Sequence, residues 1–184
     1  MYKAVIIGGS AGSFQVITKI LSSLPDNFRY PMLLCLHRLK HIRSGFVETL
    51  SIKSSIPIIE PSDKEHIRAG TAYLAPANYH MYIEVGNTIA LSTEDVVNHS
   101  RPSIDLSFIT AGKAYRDKLL AIILSGANKD GAYGVKRIKE MGGTVIVQDP
   151  NECEVKTMTE SALKMTKVDY IYDTDKIIRF LKNL

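Results

Sequence analysis

Ser10 is the residue whose setting most directly suggests chemistry. It stands in the glycine turn of residues 8–12, which directly follows the apolar run of residues 2–7. Glycines permit the strained strand-to-helix turn of a nucleophile elbow, which lifts a serine hydroxyl clear of the backbone. A turn of this kind also places backbone N–H groups at a helix N-terminus, where they bind phosphate. The local sequence leaves both interpretations open, a serine nucleophile and a phosphate-binding loop.

An imidazole and a carboxylate follow two further apolar runs. His37 follows residues 31–36, and Asp130 lies in the glycine-containing loop after residues 119–124. Acyl transfer by a serine requires an imidazole to accept the hydroxyl proton and a carboxylate to orient that imidazole. Taken alone, His37 is more typical of a structural hydrogen-bonding residue, and Asp130 of a turn former or helix N-cap. Because the carboxyl ends of parallel strands share one edge of a sheet, the three residues together favour a catalytic triad.

The elements that must position these residues alternate between strand and helix. Continuous apolar runs predict buried parallel strands, and the helical patterns between them predict helices on both faces of the sheet. The predicted fold class is therefore α/β, a three-layer α/β/α arrangement with a mostly parallel, doubly wound sheet. In the middle of the chain, segments 71–74, 80–85 and 88–91 predict a small antiparallel insertion with a hairpin turn at Gly86-Asn87. Without repeats, linkers or low-complexity segments, the sequence predicts a single domain over residues 1–184.

Composition narrows the classes of function. The chain has 184 residues, of which 45% are apolar and 23% charged, as in ordinary soluble globular proteins. Its net charge of +4 is modest and its basic residues are dispersed, which disfavours a dedicated nucleic-acid-binding protein. Cys35 and Cys153 lack CxxC spacing and are expected to be reduced thiols. Since no segment resembles a membrane span or a signal peptide, we expect a cytoplasmic protein without direct membrane insertion.

Neither a cofactor nor a metal site is indicated. The glycines of residues 8–12 lack the spacing of a dinucleotide-binding fingerprint, and no acidic residue follows the second strand. A zinc site is not expected either, because tight metal-ligand spacing is missing among the remaining histidines, His41, His66, His80 and His99.

Short blocks spread along nearly the whole chain carry a family resemblance. In order they are Ile7-Gly8-Gly9-Ser10-Ala11-Gly12, Leu36-His37, Ala69-Gly70-Thr71-Ala72-Tyr73-Leu74-Ala75-Pro76, His80-Met81, Arg101-Pro102-Ser103-Ile104-Asp105 and Leu124-Ser125-Gly126-Ala127-Asn128-Lys129-Asp130-Gly131. Together they resemble the catalytic domain of the chemotaxis protein-glutamate methylesterases, the CheB family. The resemblance implies that Ser10 is the nucleophile, His37 the base and Asp130 the orienting carboxylate. It also implies hydrolysis of γ-glutamyl methyl esters on the cytoplasmic helices of methylated chemoreceptors, with release of methanol, and deamidation of receptor glutamines in some members.

This chemistry needs hydrogen-bond donors for the oxyanion that develops on the ester carbonyl. The candidates are backbone N–H groups at Ala11 or Gly12, near the start of the first helix, and at Ala127 in the loop that contains Asp130. Backbone donors leave no signature in a sequence, so these assignments follow from the expected mechanism.

The segment after His37 departs from the family pattern, because residues 38–44 form a longer and more basic link than the family usually has. Arg38, Lys40 and Arg43 are candidate substrate-binding residues that would attract acidic receptor helices, and a solvated loop is the alternative. Arg101 is a further candidate, although Arg101-Pro102-Ser103 is more typical of a helix start, and Asp105 is a second residue that could line the cleft.

Two expectations concern the wider role of the chain. Many members of the family carry an N-terminal receiver domain, and no segment of this sequence corresponds to one. The alternative to an esterase is a non-catalytic relative, a binding module that recognises receptor segments or small anions. The presence of Ser10, His37 and Asp130 together favours the esterase.

Overall fold

The strands and helices alternate over most of the chain. The structure is a computed structural model that describes residues 1–37 and 45–184. In chain order its strands are β1 (Ala4–Gly9), β2 (Met32–Leu36), β3 (Ile58–Ile59), β4 (Glu65–His66), β5 (Ala72–Leu74), β6 (His80–Ile83), β7 (Thr88–Ser92), β8 (Leu119–Ile123), β9 (Thr144–Gln148) and β10 (Tyr170–Tyr172). Its helices are α1 (Ser13–Ser23), α2 (Phe46–Lys53), α3 (Ile104–Tyr115), α4 (Ala132–Glu140), α5 (Thr157–Met165) and α6 (Thr174–Lys182).

A parallel sheet in the order β10-β9-β8-β1-β2-β5-β3 forms the centre of the fold. Strand β1 pairs with β2 on one side and with β8 on the other. Every residue of these three strands is buried, which explains why each reads as a continuous apolar run. Because β8, β1 and β2 are parallel neighbours, their carboxyl ends lie side by side. The chain leaves β1 towards β2 and leaves β8 towards β9 on the opposite side, which makes the gap between β1 and β8 a topological switch point.

Helices cover both faces of this sheet. On one face, Phe108 of α3 and Val135 of α4 pack into a core that also includes α5 and the small antiparallel sheet. On the other face, Ile17 of α1 and Ile177 of α6 pack against the strands together with Leu50 of α2. The predicted three-layer α/β/α class is confirmed.

The predicted antiparallel insertion is partly wrong. Segment 71–74 forms β5, which is parallel and lies in the main sheet between β2 and β3. Its residues Ala72, Tyr73 and Leu74 are all buried, and a strand buried on both faces belongs in the interior of a covered sheet.

The antiparallel sheet itself has three strands in the order β4-β7-β6. The predicted hairpin of β6 and β7 is present, and Asn87 takes a left-handed φ of 62° in its turn. Strand β4 escaped prediction because its two residues, Glu65 and His66, carry no apolar pattern. Among the helices of the described ranges, none combines the length and hydrophobicity needed to cross a bilayer.

Candidate active site

His37 and Asp130 are in direct contact at the carboxyl edge of the sheet. His37 Nε2 lies 2.8 Å from Asp130 Oδ2. The Asp130 side chain is fully buried, whereas 12% of the His37 side chain is exposed. Because a carboxylate only accepts hydrogen bonds, Nε2 carries the proton of this contact. The other ring nitrogen, Nδ1, is therefore the proton acceptor of the imidazole.

Asp130 is surrounded by donors besides His37. They are the backbone N–H groups of Ile104 (2.7 Å) and Asp105 (3.1 Å), the Ser103 hydroxyl (3.1 Å) and the Asn98 side-chain amide (3.1 Å). Burial alone would raise the pKa of Asp130, but the hydrogen bonds from His37 and these donors outweigh burial and hold the pKa below its ordinary value. Asp130 is thus kept as a carboxylate, the form that orients an imidazole.

Asp105 holds the neighbouring helix in the same way. Its Oδ1 accepts hydrogen bonds from the N–H groups of Gly131 (2.9 Å) and Gly134 (2.7 Å), at the start of α4. The Asn98 amide bridges the two carboxylates, since it also donates to Asp105 Oδ2 at 2.9 Å. Burial above all, together with the charge of Asp130, raises the pKa of Asp105. These contacts give Asp105 a structural role.

Ser10 directly follows β1, in the turn beside His37. The His37 N–H group donates to the Gly9 carbonyl at 3.0 Å, and the Ser10 N–H group donates to the Ser125 carbonyl at 2.9 Å. The half-buried Ser10 hydroxyl has no hydrogen-bond partner within residues 1–37 and 45–184, so it is not bonded to His37. Nδ1 instead contacts the hydroxyl of Ser100, whose Oγ lies 3.4 Å away. Of the two contacts expected in the triad, the one between His37 and Asp130 is therefore present, and the hydrogen bond between the Ser10 hydroxyl and His37 is not formed.

Ser125 fixes the turn that carries Ser10, and sequence reasoning missed this role. Besides accepting the Ser10 N–H, Ser125 donates its hydroxyl to the Ala11 carbonyl at 2.7 Å. The same hydroxyl accepts the Val155 N–H at 3.0 Å. Ser125 lies two residues after the end of β8, in a block that resembles the family pattern, and this position was its only signal.

Gly12 is required by the shape of this turn. Its φ of +79° is a left-handed conformation that favours glycine. A Cβ at this position would also lie 2.6 Å from Cβ of Glu154 and 2.7 Å from Oγ of Ser125. The carboxylate of Glu154 beside Gly12 and the buried carboxylate of Asp130 disfavour the alternative of a phosphate-binding loop.

The next feature is the set of backbone N–H groups that were predicted to bind the oxyanion. Within the described ranges, the backbone N–H groups of Ala11, Gly12 and Ala127 donate no hydrogen bond. Ala11 and Gly12 immediately precede α1, and Ala127 lies in the loop after β8, so both sets are at the edge that holds Ser10. Their use as oxyanion donors stays a prediction.

The four predicted substrate-binding residues lie in two parts of the chain. Arg38, Lys40 and Arg43 lie outside the described residues. Nη1 of Arg101 donates to the carbonyls of Thr93 (2.6 Å) and Glu94 (2.8 Å), so its guanidinium is held by the loop before α3. This geometry gives no support to a role for Arg101 in binding substrate.

His80 is a second positioning residue that the sequence did not reveal. The ring is fully buried, and its Nδ1 accepts the Ser103 N–H at 3.1 Å. Its Nε2 donates to the Asp95 carbonyl at 2.9 Å. Since Ser103 donates its hydroxyl to Asp130, His80 supports the carboxylate indirectly. In the part of the chain that the structure describes, no group of three or more His, Cys, Asp and Glu side chains is arranged to hold a metal ion.

Comparisons with known proteins agree on one family. The family model for CheB methylesterase matches residues 5–181. A Leptospira interrogans protein named putative protein-glutamate methylesterase/protein-glutamine glutaminase is 43% identical over 176 residues, which cover 96% of this chain and 91% of that protein. The Thermotoga maritima protein-glutamate methylesterase/protein-glutamine glutaminase is 32% identical over 182 residues, which cover 95% of this chain and 52% of that protein.

A solved structure matches the whole fold. The crystal structure of the Thermotoga maritima CheB methylesterase catalytic domain has a TM-score of 0.94 with this chain, at 31% sequence identity. The match covers 100% of this chain and 98% of the solved one. The chain therefore spans about half of the Thermotoga protein and nearly all of its solved catalytic domain.

Proposed function

The chain belongs to the CheB methylesterase family, and on that basis we propose that it is a serine hydrolase that removes γ-glutamyl methyl esters from chemoreceptors and releases methanol. The observation that carries the proposal is the 2.8 Å contact between His37 Nε2 and Asp130. This contact fixes the tautomer of the imidazole and reserves Nδ1 for the proton of Ser10.

The reaction begins at Ser10. Its hydroxyl replaces that of Ser100 at His37 Nδ1, transfers its proton to this nitrogen, and forms a bond from Oγ to the ester carbonyl carbon. Asp130 stays ionised and stabilises the imidazolium that results. Backbone N–H groups at Gly12 or Ala11 and at Ala127 stabilise the oxyanion, each by about 3–4 kcal/mol in the transition state if they act as such donors do elsewhere.

Collapse of the tetrahedral intermediate breaks the bond to the methoxy oxygen. Methanol leaves with the proton from His37 Nδ1, and an acyl-enzyme on Ser10 remains. Water then attacks the acyl carbon while Nδ1 accepts one of its protons, and the return of that proton to Ser10 Oγ releases the glutamate side chain as a carboxylic acid, which ionises in solvent. Each proton passes through the same nitrogen, so one base serves both halves of the cycle.

A second activity, deamidation of glutamine, uses the same intermediate. Ammonia would replace methanol as the leaving group and would take its proton from His37. The relatives from Leptospira and Thermotoga carry this activity in their names as well. A non-catalytic binding module is not favoured, because such a module has no need of a buried carboxylate bonded to an imidazole that keeps 12% of its side chain exposed.

The test uses a chemoreceptor cytoplasmic fragment whose glutamates carry ¹³C-labelled methyl esters. Incubation with the chain should release labelled methanol, observed by NMR, at a rate that rises in proportion to the enzyme concentration. His37→Ala at the same concentration is the control and should release methanol no faster than buffer. A parent chain that binds the fragment but releases no methanol above the buffer rate would contradict the proposal.

A further inference from the structure

An open groove lies beside the active site, between α3, α4 and α5. Its volume is about 600 Å³. Leu106 and Ile109 of α3 are half-buried along it, and Tyr133 of α4 and Met165 of α5 line it with 47% and 43% of their surface exposed. A concave site lined mainly by apolar side chains with a few polar groups is the usual form of a binding pocket.

The groove begins at the residues that hold the catalytic carboxylate. Asn98 lines it and donates to both Asp105 and Asp130. Lys129, which also lines it, immediately precedes Asp130. A chain lying in the groove would therefore run up to the edge of the sheet where Ser10 and His37 are placed.

The charges at the groove are positive and uncompensated. The exposed Lys129 and Lys164 both line it, and neither forms an ion pair with a carboxylate in the described ranges. Other lysines of the same region are paired, Lys136 with Glu140 and Lys156 with Glu160. The one acidic lining residue, Asp105, already accepts hydrogen bonds on both carboxylate oxygens.

We propose that this groove binds a segment of the protein substrate itself, an acidic segment with an apolar side that flanks the esterified glutamate. Its apolar side chains pack against Leu106, Ile109 and Met165, and its carboxylates pair with Lys129 and Lys164. The inference rests on the proposed function, since each ester that such an enzyme hydrolyses leaves a glutamate carboxylate on the substrate. Apolar burial with peripheral charge pairing is the mode by which amphipathic helices bind grooves.

The experiment compares two substrates, the methyl-esterified receptor fragment and the small ester N-acetyl-glutamate γ-methyl ester. The variants are Lys164→Glu and Met165→Asp, both at exposed positions of α5, where substitutions usually change stability little. Lys167→Glu is the matched control, because it makes the same charge change at an exposed residue outside the groove. Melting temperatures of all four proteins verify that folding is intact.

Each groove variant should raise KM for the receptor fragment about tenfold, the usual scale for losing one apolar or charged anchor. The loss of kcat/KM on the fragment should exceed the loss on the small ester by a similar factor. Lys167→Glu should change neither KM nor kcat/KM on either substrate.

Three results would overturn the groove proposal: equal losses of kcat/KM on both substrates, no loss on the fragment, or the same loss in Lys167→Glu. So would a parent dimer that either groove variant converts to a monomer, since the groove would then bind a second copy of the chain. If the parent hydrolyses neither substrate, the proposed function is wrong and the groove proposal falls with it.

Discussion

Asp105 and Asp130 cap each other's helices. Asp130, which precedes α4, accepts the N–H groups of Ile104 and Asp105 at the start of α3. Asp105, in the first turn of α3, accepts the N–H groups of Gly131 and Gly134 at the start of α4. Negative charge at a helix N-terminus is stabilised both by these donors and by the helix dipole. The exchange ties the position of the catalytic carboxylate to the packing of two helices.

Removing one member of this exchange should therefore weaken both the fold and the site. Asp105→Ala leaves two buried N–H groups without an acceptor, which costs roughly 2–3 kcal/mol of unfolding free energy. We expect kcat to fall as well, because the start of α4 and hence Asp130 lose their support. Urea unfolding and initial rates measure the two effects. Asp26→Ala, at an exposed aspartate, is the control and should change neither. An Asp105→Ala protein as stable as the parent would show that the capping exchange is dispensable.

The two carboxyl groups should affect stability in opposite directions as the pH changes. The pKa of Asp130 is lowered by folding, so its stabilisation is present above its ordinary pKa of about 3.9 and is lost as the pH falls through the lower folded value. The pKa of Asp105 is raised, so its contribution is present below about 3.9 and is lost as the pH rises through the higher folded value.

Relative to the parent, Asp130→Asn should thus flatten the acid-side loss of unfolding free energy below about pH 4, and Asp105→Asn should flatten the decline above it. Urea unfolding between pH 2 and about pH 7 checks both slopes. Two variants that change the pH dependence in the same direction would contradict the opposite displacement of the two pKa values.

Ser125 should matter for catalysis through the Ser10 turn. Ser125→Ala removes the hydroxyl that joins the Ala11 carbonyl to the Val155 N–H, at an expected cost of about 1–3 kcal/mol. Because the turn loses its anchor, kcat should fall while KM stays nearly constant. Ser22→Ala, at an exposed serine of α1, serves as the control. If kcat is unchanged in a Ser125→Ala protein that is less stable, Ser125 supports the fold but not catalysis.

The basic segment after His37 should steer acidic substrate to the cleft. Replacing Arg38, Lys40 and Arg43 together by Gln should lower kcat/KM for the receptor fragment at low salt and flatten its salt dependence, since salt screens exposed charges over about 8–10 Å. Hydrolysis of a small uncharged ester should change far less. Equal losses on both substrates would mean that the segment shapes the active site instead.

The sequence predicts those parts of the site that depend on a few buried strands. Residues 4–7, 31–36 and 119–124 are continuously apolar, and parallel pairing then brings His37 and Asp130 to one edge. Strand β5 was misplaced because three residues, Ala72–Leu74, carry too little pattern to distinguish a central strand from an edge hairpin. The contacts of Asn98 with Asp130 and of Ser100 with His37 join residues 32 and 63 positions apart. Such contacts arise from the approach of loops in three dimensions, which periodicity and propensity do not encode.

The central claim, that Ser10 is the nucleophile, is tested most directly by comparing it with the other hydroxyl at the imidazole. Ser10→Ala and Ser100→Ala each remove one oxygen near His37, and both should melt close to the parent temperature. With the methyl-esterified receptor fragment, Ser10→Ala should reduce the rate of methanol release by at least about a thousandfold, as removal of a triad nucleophile does. Ser100→Ala should keep more than roughly a tenth of the parent rate, because a hydroxyl 3.4 Å from Nδ1 is displaced during the reaction. A Ser10→Ala protein within tenfold of the parent rate, or a Ser100→Ala protein that loses all activity while Ser10→Ala retains it, would contradict the account.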